Sequence, residues 1–201
     1  MKLSGNSVVL MGAMLLATAC GDKKDENAMA DSAGMAMGSS TAAAPSTEPA
    51  AAGGLTDANI VWIVSMANKG EIERGNIAET KGTNAEVKNY GKMVVGEHTA
   101  LETEAQALAA KLGVSPMMPA GDQTEMMAKQ QMDTFNSTAK GAAWDKAYVD
   151  YEVTYHQGLL ETAKTAIGAA QNAELKALLE KAAPVVQKHI DMAVAMQKKM
   201  M

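Results

Sequence analysis

Aromatic residues and cysteine are scarce in this chain of 201 residues. Phe, Trp and Tyr together make up 3% of it, whereas β-strands are enriched in aromatic residues. Alanine and methionine are abundant instead, and both are strong helix formers. A single cysteine excludes an intramolecular disulfide bond. The composition therefore predicts an all-α protein whose stability comes from helix packing.

Basic residues are fewer than acidic residues in this chain. The chain has 18 Lys and Arg against 23 Asp and Glu, which gives a net charge of -5. No segment concentrates basic residues as a nucleic-acid-binding surface does, so nucleic acid is not an expected partner. A glycine-rich phosphate loop and a nucleophile beside a general base are missing as well. No catalytic residue is therefore assigned, and it stays open whether the protein is an enzyme.

Apolar runs long enough to span a bilayer are absent from the sequence. The one concentrated apolar stretch follows Lys2 and lies between Val8 and Ala17. A charged start, a short apolar run and then small residues are typical of an export signal. We therefore expect residues 1–19 to form a signal peptide.

The small residues after this run end at a cysteine. "ATAC" at residues 17–20 resembles the lipoprotein signal of bacteria, in which cleavage leaves the cysteine first in the mature chain and lipid is attached to it. The resemblance implies that Cys20 is lipidated and that the membrane is a partner, whereas an ordinary signal peptide cut near Ala19 would leave a free thiol. Gly21, rather than aspartate, follows the cysteine. By resemblance to sorted bacterial lipoproteins, this implies an outer-membrane lipoprotein that faces the periplasm.

Residues 20–55 contain almost no large apolar side chain other than methionine. Ala, Gly, Ser, Thr, Pro and charged residues dominate, and such a composition cannot bury enough apolar surface to offset the entropy of ordering. We expect this segment to be a lipidated cysteine followed by a disordered tether rich in Ala, Gly, Ser and Met. The folded domain would then occupy residues 56–201.

Apolar residues recur with helical spacing in almost all of this predicted domain. Capping residues, glycines and a loop with two prolines divide the pattern into four long helices and one short one. The predicted segments are Thr56 or Asp57 to about Lys81, Asn84 to about Leu112, Asp122 to about Thr138, Ala143 to Ala170, and Ala173 to the end. This order favours an antiparallel ferritin-like four-helix bundle with an additional short helix in the middle crossover.

Each of the three histidines of the chain lies in the apolar seam of a different long helix. In the second helix, steps of four and three residues connect Val94, His98 and Leu101. His156 and His189 have the same kind of position in the fourth segment and in the last helix. Because seam positions face the core, the pattern predicts three buried imidazoles.

The distances of the histidines from the turns predict that they lie at a similar height in the bundle. His156 and His189 are equidistant from a turn near Asn172, and His98 reflected through a turn at residues 84–85 falls near Glu71. Glu71 lies on the apolar face of the first helix. Carboxylate and imidazole are ligands that Zn, Fe, Mn and Cu accept. Glu71, His98, His156 and His189 therefore form a candidate metal site.

Three further residues near this layer form a second tier of candidate ligands. Glu152 lies one turn before His156 and Glu102 one turn after His98, so either could ligate or orient an imidazole. Met192 shares a face of the last helix with His189, and this combination suits Cu(I). A di-iron carboxylate site is disfavoured, because it needs Glu-x-x-His on two helices and the motif does not occur.

The same residues have a second interpretation as a purely structural polar layer. A hydrogen-bonded layer can set the register of a bundle without binding an ion. The protein would then be a non-catalytic envelope-stress or protein-interaction module. The identity of the metal, any reaction, and a second copy or another envelope protein as partner all stay open at this point.

Three segments are similar to those of a bacterial family of exported proteins. They are "GEIERGNIAETKGTNAEVKNYGKMVVGEHT", "WDKAYVDYEVTYHQGLLE" and "AELKALLEKAAPVVQKHIDMA". On these residues the chain resembles domain of unknown function 4142, whose members are labelled predicted outer membrane proteins, over about residues 55–196. The resemblance implies a ferritin-like helical bundle and brings no established activity.

Overall fold

Five α-helices make up most of the part of the chain that the structure describes. The structure is a computed structural model, and it describes residues 54–200. The helices are α1 (Asp57–Lys81), α2 (Ala85–Leu112), α3 (Thr124–Ser137), α4 (Ala142–Ala169) and α5 (Ala173–Lys199). No strand occurs within these residues. The predicted all-α bundle, with a short helix between two pairs of long ones, is confirmed.

The predicted signal peptide, Cys20 and all but the last two residues of the predicted tether lie outside the described residues. Between residues 54 and 200, none of the helices combines the length and the apolar character needed to cross a membrane.

Small polar residues start three of the long helices at the predicted positions. Thr56 forms a capping box with Asn59 at the start of α1. Asn84 and Asn172 accept hydrogen bonds from first-turn amides of α2 and α5. These side chains satisfy amides that have no partner within the helix, which is why the boundaries could be predicted closely.

The start of α3 differs from the prediction. Its N-cap residue is Gln123, which makes no side-chain cap bond, and not Asp122. The Asp122 carboxylate instead accepts a hydrogen bond from the amide of Thr124 at 2.7 Å. It therefore satisfies a first-turn amide from one residue further out than predicted.

Helices α1 and α2 approach each other closely at a pair of glycines. A Cβ atom on Gly91 would lie 2.7 Å from the carbonyl oxygen of Gly75 and 2.8 Å from the Cβ of Ala78. A Cβ atom on Gly75 would lie 2.7 Å from the carbonyl oxygen of Gly91. The two backbones therefore leave no room for a side chain at this crossing, which lies next to the polar side chains described below.

The turn of each helix pair is held by an aspartate from the other pair. The Asp145 carboxylate, in the first turn of α4, accepts hydrogen bonds from the amides of Thr83 and Asn84 at 2.9 and 2.8 Å. The Asp57 carboxylate, at the start of α1, accepts from the amides of Gln171 and Asn172 at 2.9 and 3.0 Å. Both carboxylates also lie at helix N-termini, where negative charge is favoured. The α1–α2 and α4–α5 pairs are therefore fastened to each other at both ends.

Two apolar clusters fill the two ends of the bundle. Trp144, Tyr148 and Phe135 anchor the first cluster, and Ile60, Leu175 and Leu179 anchor the second. Most of the buried polar residues lie along the chain between positions that contribute to the two clusters, namely Asn68, Glu71, Arg74, His98, Glu102, His156 and His189, and Glu152 directly precedes Val153 of the first cluster. A polar layer therefore separates two apolar halves of the core.

We expect Gly91→Ala to destabilise the protein although alanine favours helices. The new methyl group would force the α1 backbone away, and such overpacking costs about 1–3 kcal/mol. Gly96→Ala is the matched control, because a Cβ atom on Gly96, in the same helix, would have nothing within 4 Å. The control should gain about 0.5–1 kcal/mol. Urea unfolding of both variants measures the difference, and a Gly91→Ala protein as stable as the Gly96→Ala protein would contradict the close approach.

Candidate metal centre

Seven polar side chains form a buried layer contributed by all four long helices. None is more than 4% exposed. Buried polar and charged groups are costly unless they are paired or bind something. The members of the layer are Asn68, Glu71, Arg74, His98, Glu152, His156 and His189.

The three histidines converge within this layer. Each offers one ring nitrogen, and these three nitrogens all lie within 4.8 Å of one another. The ring centroids of His156 and His189 are 5.0 Å apart, those of His98 and His189 5.2 Å, and those of His98 and His156 6.1 Å. The imidazoles from α2, α4 and α5 therefore form one compact cluster.

The outer nitrogen of His98 is held by an amide oxygen. Its Nδ1 lies 2.9 Å from Oδ1 of Asn68, and the Asn68 amide donates in turn to the Glu102 carboxylate at 3.4 Å. Because a carboxylate only accepts, the Asn68 NH2 group must face Glu102 and its oxygen must face the ring. His98 therefore carries its proton on Nδ1, and Nε2 keeps a lone pair.

The outer nitrogens of the other two histidines also face oxygen acceptors. Nδ1 of His156 lies 3.0 Å from the carbonyl oxygen of Glu152 and 3.3 Å from its Oε2. Nε2 of His189 lies 2.7 Å from Oε2 of Glu97, a carboxylate that is also paired with Lys188. Each of these ring nitrogens therefore donates a proton outward, as metal-binding histidines characteristically do.

The inward nitrogens of His156 and His189 face each other closely. Nε2 of His156 lies 3.1 Å from Nδ1 of His189. With both outer nitrogens protonated, two neutral rings would oppose lone pair to lone pair at this distance. A proton shared between them resolves the conflict, and so does a metal ion. Two ligands of a tetrahedral zinc ion with bonds of about 2.0–2.1 Å lie about 3.3 Å apart, which is close to the observed separation.

Arg74 ties the two buried carboxylates of the layer together. Its Nη2 lies 2.6 Å from Oε1 of Glu71, and its Nε lies 3.3 Å from Oε1 of Glu152. The guanidinium carbon also lies 3.9 Å from the ring centre of Tyr155, a cation–π contact. One guanidinium from α1 therefore compensates carboxylates from both α1 and α4.

The pKa values of the carboxylates diverge. Burial alone would raise the pKa of Glu71, but Arg74 and the neighbouring histidines lower it well below its usual value. Burial and the negative charge of Glu71 together raise the pKa of Glu152. Two carboxylates and one guanidinium leave the layer short of one positive charge when the three histidines are neutral and Glu152 is ionised.

The histidines respond differently to this negative charge. Burial would lower the pKa of His156, but Glu71 and Glu152 raise it above its usual value. Burial lowers the pKa of His98 to about 4 and also lowers the pKa of His189. Of the three imidazoles, His156 is therefore the one whose protonation the layer favours.

Several buried polar atoms of the layer have no hydrogen-bond partner in the described part of the chain. They include Nε2 of His98 and Oε2 of Glu71. The two Glu152 oxygens also make no hydrogen bond, but one lies 3.3 Å from Nε of Arg74 and the other 3.3 Å from Nδ1 of His156. His98 belongs to the histidine cluster, and Glu71 and Glu152 form a second group of ligand atoms within 4.8 Å together with His156. Nitrogen and oxygen lone pairs are therefore available where a cation could use them.

The structure places some of the predicted site residues in the buried layer, one behind it and one near the surface. Glu71, His98, His156, His189 and Glu152 lie in the layer. Glu102 lies behind Asn68 and also accepts hydrogen bonds from Ser65 and Gln106 at 2.7 and 2.8 Å. Met192 is 37% exposed, and Met196 packs in an apolar cluster. The thioethers of α5 are therefore not gathered around His189.

The residue of α1 that lies opposite His98 is three positions away from Glu71, the residue that was predicted to lie there. The first turn is centred on Thr83 rather than on residues 84–85, because α1 ends at Lys81 and α2 begins at Ala85. Reflection through Thr83 brings Asn68 opposite His98, and these two are hydrogen-bonded. Glu71 instead approaches His156, with 3.5 Å between Oε1 and Nε2.

Arg74, Asn68 and Glu97 were missed by the sequence analysis. A signal existed for Arg74, because residues 60, 64, 67, 71, 74 and 78 follow the four-and-three spacing of a seam. Asn68 directly follows a seam position and Glu97 directly precedes His98. Nothing in the sequence alone distinguishes these two from surface residues, because their partners lie on other helices.

A family model supports the resemblance seen in the sequence. The model described as "Domain of unknown function (DUF4142)" matches residues 40–196, which is well over half of the chain. The chain belongs to this family. The match spans every residue of the buried layer, and the family description assigns no activity. No curated protein and no solved structure matches the chain.

We expect Arg74→Met to destabilise the protein by about 3–5 kcal/mol at pH 7, because it leaves two buried carboxylates without their cation. The loss should shrink as the pH falls, since unpaired buried carboxyl groups have raised pKa values and become neutral on protonation. Urea unfolding between pH 7 and pH 5 measures both effects.

Lys69→Met is the matched control on the same helix. Lys69 is 58% exposed and lies 3.8 Å from Glu102, so its loss should cost less than about 1 kcal/mol. Equal losses in the two variants would show that Arg74 does not neutralise the layer.

Proposed function

We propose that this family member is an envelope protein whose buried histidine cluster binds one divalent transition-metal ion. One observation carries the proposal. The outer nitrogen of each histidine faces an oxygen acceptor, Asn68, Glu152 or Glu97. Each histidine therefore keeps its other ring nitrogen for a metal, and the three rings offer one nitrogen each within 4.8 Å of one another. This is the outer-shell arrangement that orients imidazoles toward a metal.

The charge of the layer supports a cation at this place. Glu71 and Glu152 outnumber Arg74, and the raised pKa of His156 expresses the attraction of the layer for positive charge. A metal ion at the inward nitrogens would replace the proton of His156 and supply that charge. Glu71 is a candidate for a fourth donor after the three imidazoles, because its Oε1 lies 3.5 Å from Nε2 of His156 and its Oε2 has no hydrogen-bond partner among the described residues.

The donor set indicates the class of metal. Three neutral imidazoles with a carboxylate suit zinc, copper or iron better than manganese, which prefers oxygen ligands. Such an ion supplies Lewis acidity, or one-electron chemistry when it is copper or iron. The residues of the chain bind it, orient their rings through Asn68, Glu152 and Glu97, and keep bulk water away, since all three histidines are at most 1% exposed.

A second candidate function is favoured by the Arg74 ion pairs. With a proton on His156, Arg74 and His156 balance Glu71 and Glu152, so the layer reaches neutrality without a metal. The layer would then fix the register of the helices in a non-catalytic envelope-stress or protein-interaction module. The two functions differ in one measurable property, which is the response of the protein to metal.

The cellular setting is part of the proposal. The "ATAC" segment and Gly21 support lipidation of Cys20 and attachment to the outer membrane on the periplasmic side. A tether from residue 20 to residue 55 would let the helical domain extend from the membrane surface.

We expect Zn²⁺ and Cu²⁺ to raise the melting temperature of the tag-free protein. Binding to the folded state alone adds about 2.7 kcal/mol of stability at a free metal concentration 100 times Kd. The chain has three histidines, and all three lie in the cluster. Imidazole nitrogen couplings in the Cu²⁺ electron paramagnetic resonance spectrum therefore report this site without background from other histidines.

Two variants test whether the shift in melting temperature comes from metal bound at the histidine cluster. His98→Gln should abolish most of the metal-dependent shift, whereas Met192→Leu, at an exposed position of α5, should keep it. A metal-induced shift of equal size in the wild type and in His98→Gln, or no shift in either, would reject the metal function and favour the structural layer.

Metal affinity should fall as the pH is lowered. Protons compete with metal for the inward nitrogens, and the pKa of His156 lies above its usual value. The decline in affinity should therefore begin at a pH higher than the ordinary imidazole pKa of about 6.5. Titration of the Cu²⁺ signal between pH 8 and pH 5 measures this, and an affinity independent of pH would contradict imidazole ligation.

We expect Cys20→Ser to release the protein from membranes. Serine cannot form the thioether that anchors the lipid, so the variant should move from the membrane fraction to the soluble fraction. Mass spectrometry of the wild-type N-terminal peptide tests the modification directly. A wild-type peptide without lipid on Cys20 would contradict the anchor and would leave the metal proposal untouched.

A further inference from the structure

A small apolar cavity lies beside the histidine cluster, among the four long helices. Its volume is about 50 Å³. Aliphatic side chains and alanines form almost all of its wall, including Val64, Leu101, Ala163 and Val186. His98 and Asn68 contribute its polar edge. The cavity therefore joins the polar layer to the apolar half of the core that contains Ile60 and Leu175.

Almost all polar groups of the cavity wall already have hydrogen-bond partners within the protein. The Asn68 amide bonds His98 through its oxygen and Glu102 through its nitrogen. The Thr162 hydroxyl donates to the carbonyl oxygen of Gly158 at 3.0 Å. Nε2 of His98 is the buried side-chain atom of the wall that has no partner among the described residues. A stable buried water needs two to four polar partners, so this cavity favours an apolar occupant.

A larger groove leads from the surface to the cavity. It lies between α1 and α4, and its volume is about 300 Å³. Trp62, Met66 and Gly158 are among its lining residues. The groove and the cavity share four lining residues, which are Ile63, Ala67, Leu159 and Thr162. Only partly buried side chains such as Ile63 and Leu159 therefore separate the cavity from the outside.

From these observations we infer that the cavity is a binding site for a small uncharged apolar molecule, of the size of a diatomic gas, that enters through the α1–α4 groove. The volume of about 50 Å³ admits no larger organic ligand, and the wall offers such a ligand no set of free polar groups. Apolar cavities of this kind stay dry and take up apolar guests such as xenon.

The position of the cavity beside the histidine cluster indicates a role for its occupant. An occupant lies against His98, whose ring belongs to the cluster proposed to bind metal. This role rests on the proposed function, because it makes a small apolar molecule the ligand class that reaches the ion. Binding to the cavity itself does not depend on metal.

Xenon is the probe for the cavity. The experiment uses metal-free full-length protein carrying Cys20→Ser and records methyl chemical shifts at increasing xenon pressure. We expect saturable shifts at the methyl groups of Val64, Leu101, Ala163 and Val186, with little change at exposed methyl groups. Linear, unsaturable changes spread over the surface would overturn the inference.

Matched leucine substitutions locate the guest. Ala163→Leu fills the cavity from α4 and should abolish the saturable shifts, whereas Ala100→Leu adds the same side chain at an exposed position of α2 and should preserve them. Saturable shifts that persist in a folded Ala163→Leu protein would overturn the inference.

A third variant tests the route independently of the cavity. Gly158 lines the groove, and a Cβ atom there would have nothing within 4 Å, so Gly158→Trp adds a large side chain at the groove without a clash at Cβ. It should slow xenon exchange while leaving the saturated shifts in place. Unchanged exchange would reject this entrance. Because no metal is present in any of these measurements, their failure is distinguishable from failure of metal binding.

Discussion

Charge balance in a dry layer is the constraint on which the rest of this structure depends. Glu71 and Glu152 lie at 0% exposure in the middle of a helical bundle, and Arg74 is the guanidinium that reaches both. Ionised groups at such depth are tolerated only when partners surround them. The contact of Arg74 with Glu152 joins α1 to α4 across the two helix pairs. The positions of the helices and the electrostatics of the histidine cluster are therefore set by the same three side chains.

The three histidines supply the nitrogen donor atoms of this layer. Each ring donates its outer proton to an oxygen, so the inward nitrogens have fixed lone pairs and a fixed direction. The negative charge of the carboxylates raises the pKa of His156, and in the proposed function a metal ion takes the place of that proton. The three rings are buried, and an apolar cavity lies beside them. Apolar walls with a few placed polar groups are typical of binding sites for small molecules.

Much of this arrangement was accessible from the sequence, for identifiable reasons. Helical spacing placed the three histidines in seams, and Asn84 marked the start of α2, which it caps. Arg74 also follows the seam spacing, but arginine usually lies at the surface, and its burial makes sense only once Glu152 of α4 is known to face it. The link from Glu97 to His189 joins α2 to α5, and reflection through a turn predicts neighbours only within one helix pair. Contacts between the two pairs were therefore beyond the reach of local patterns.

Each interhelix turn is held by an aspartate of the other helix pair, and this has a consequence for the cooperativity of the fold. Asp145 of α4 binds the α1–α2 turn, and Asp57 of α1 binds the α4–α5 turn. Turn amides ordinarily exchange their hydrogens with water through local fluctuations. Here the amides of Thr83 and Asn84 are held by α4, and those of Gln171 and Asn172 by α1. Neither turn can open fully without loosening the junction between the two halves of the molecule. Four loop amides at opposite ends of the bundle thereby become reporters of a single global event, the separation of the helix pairs.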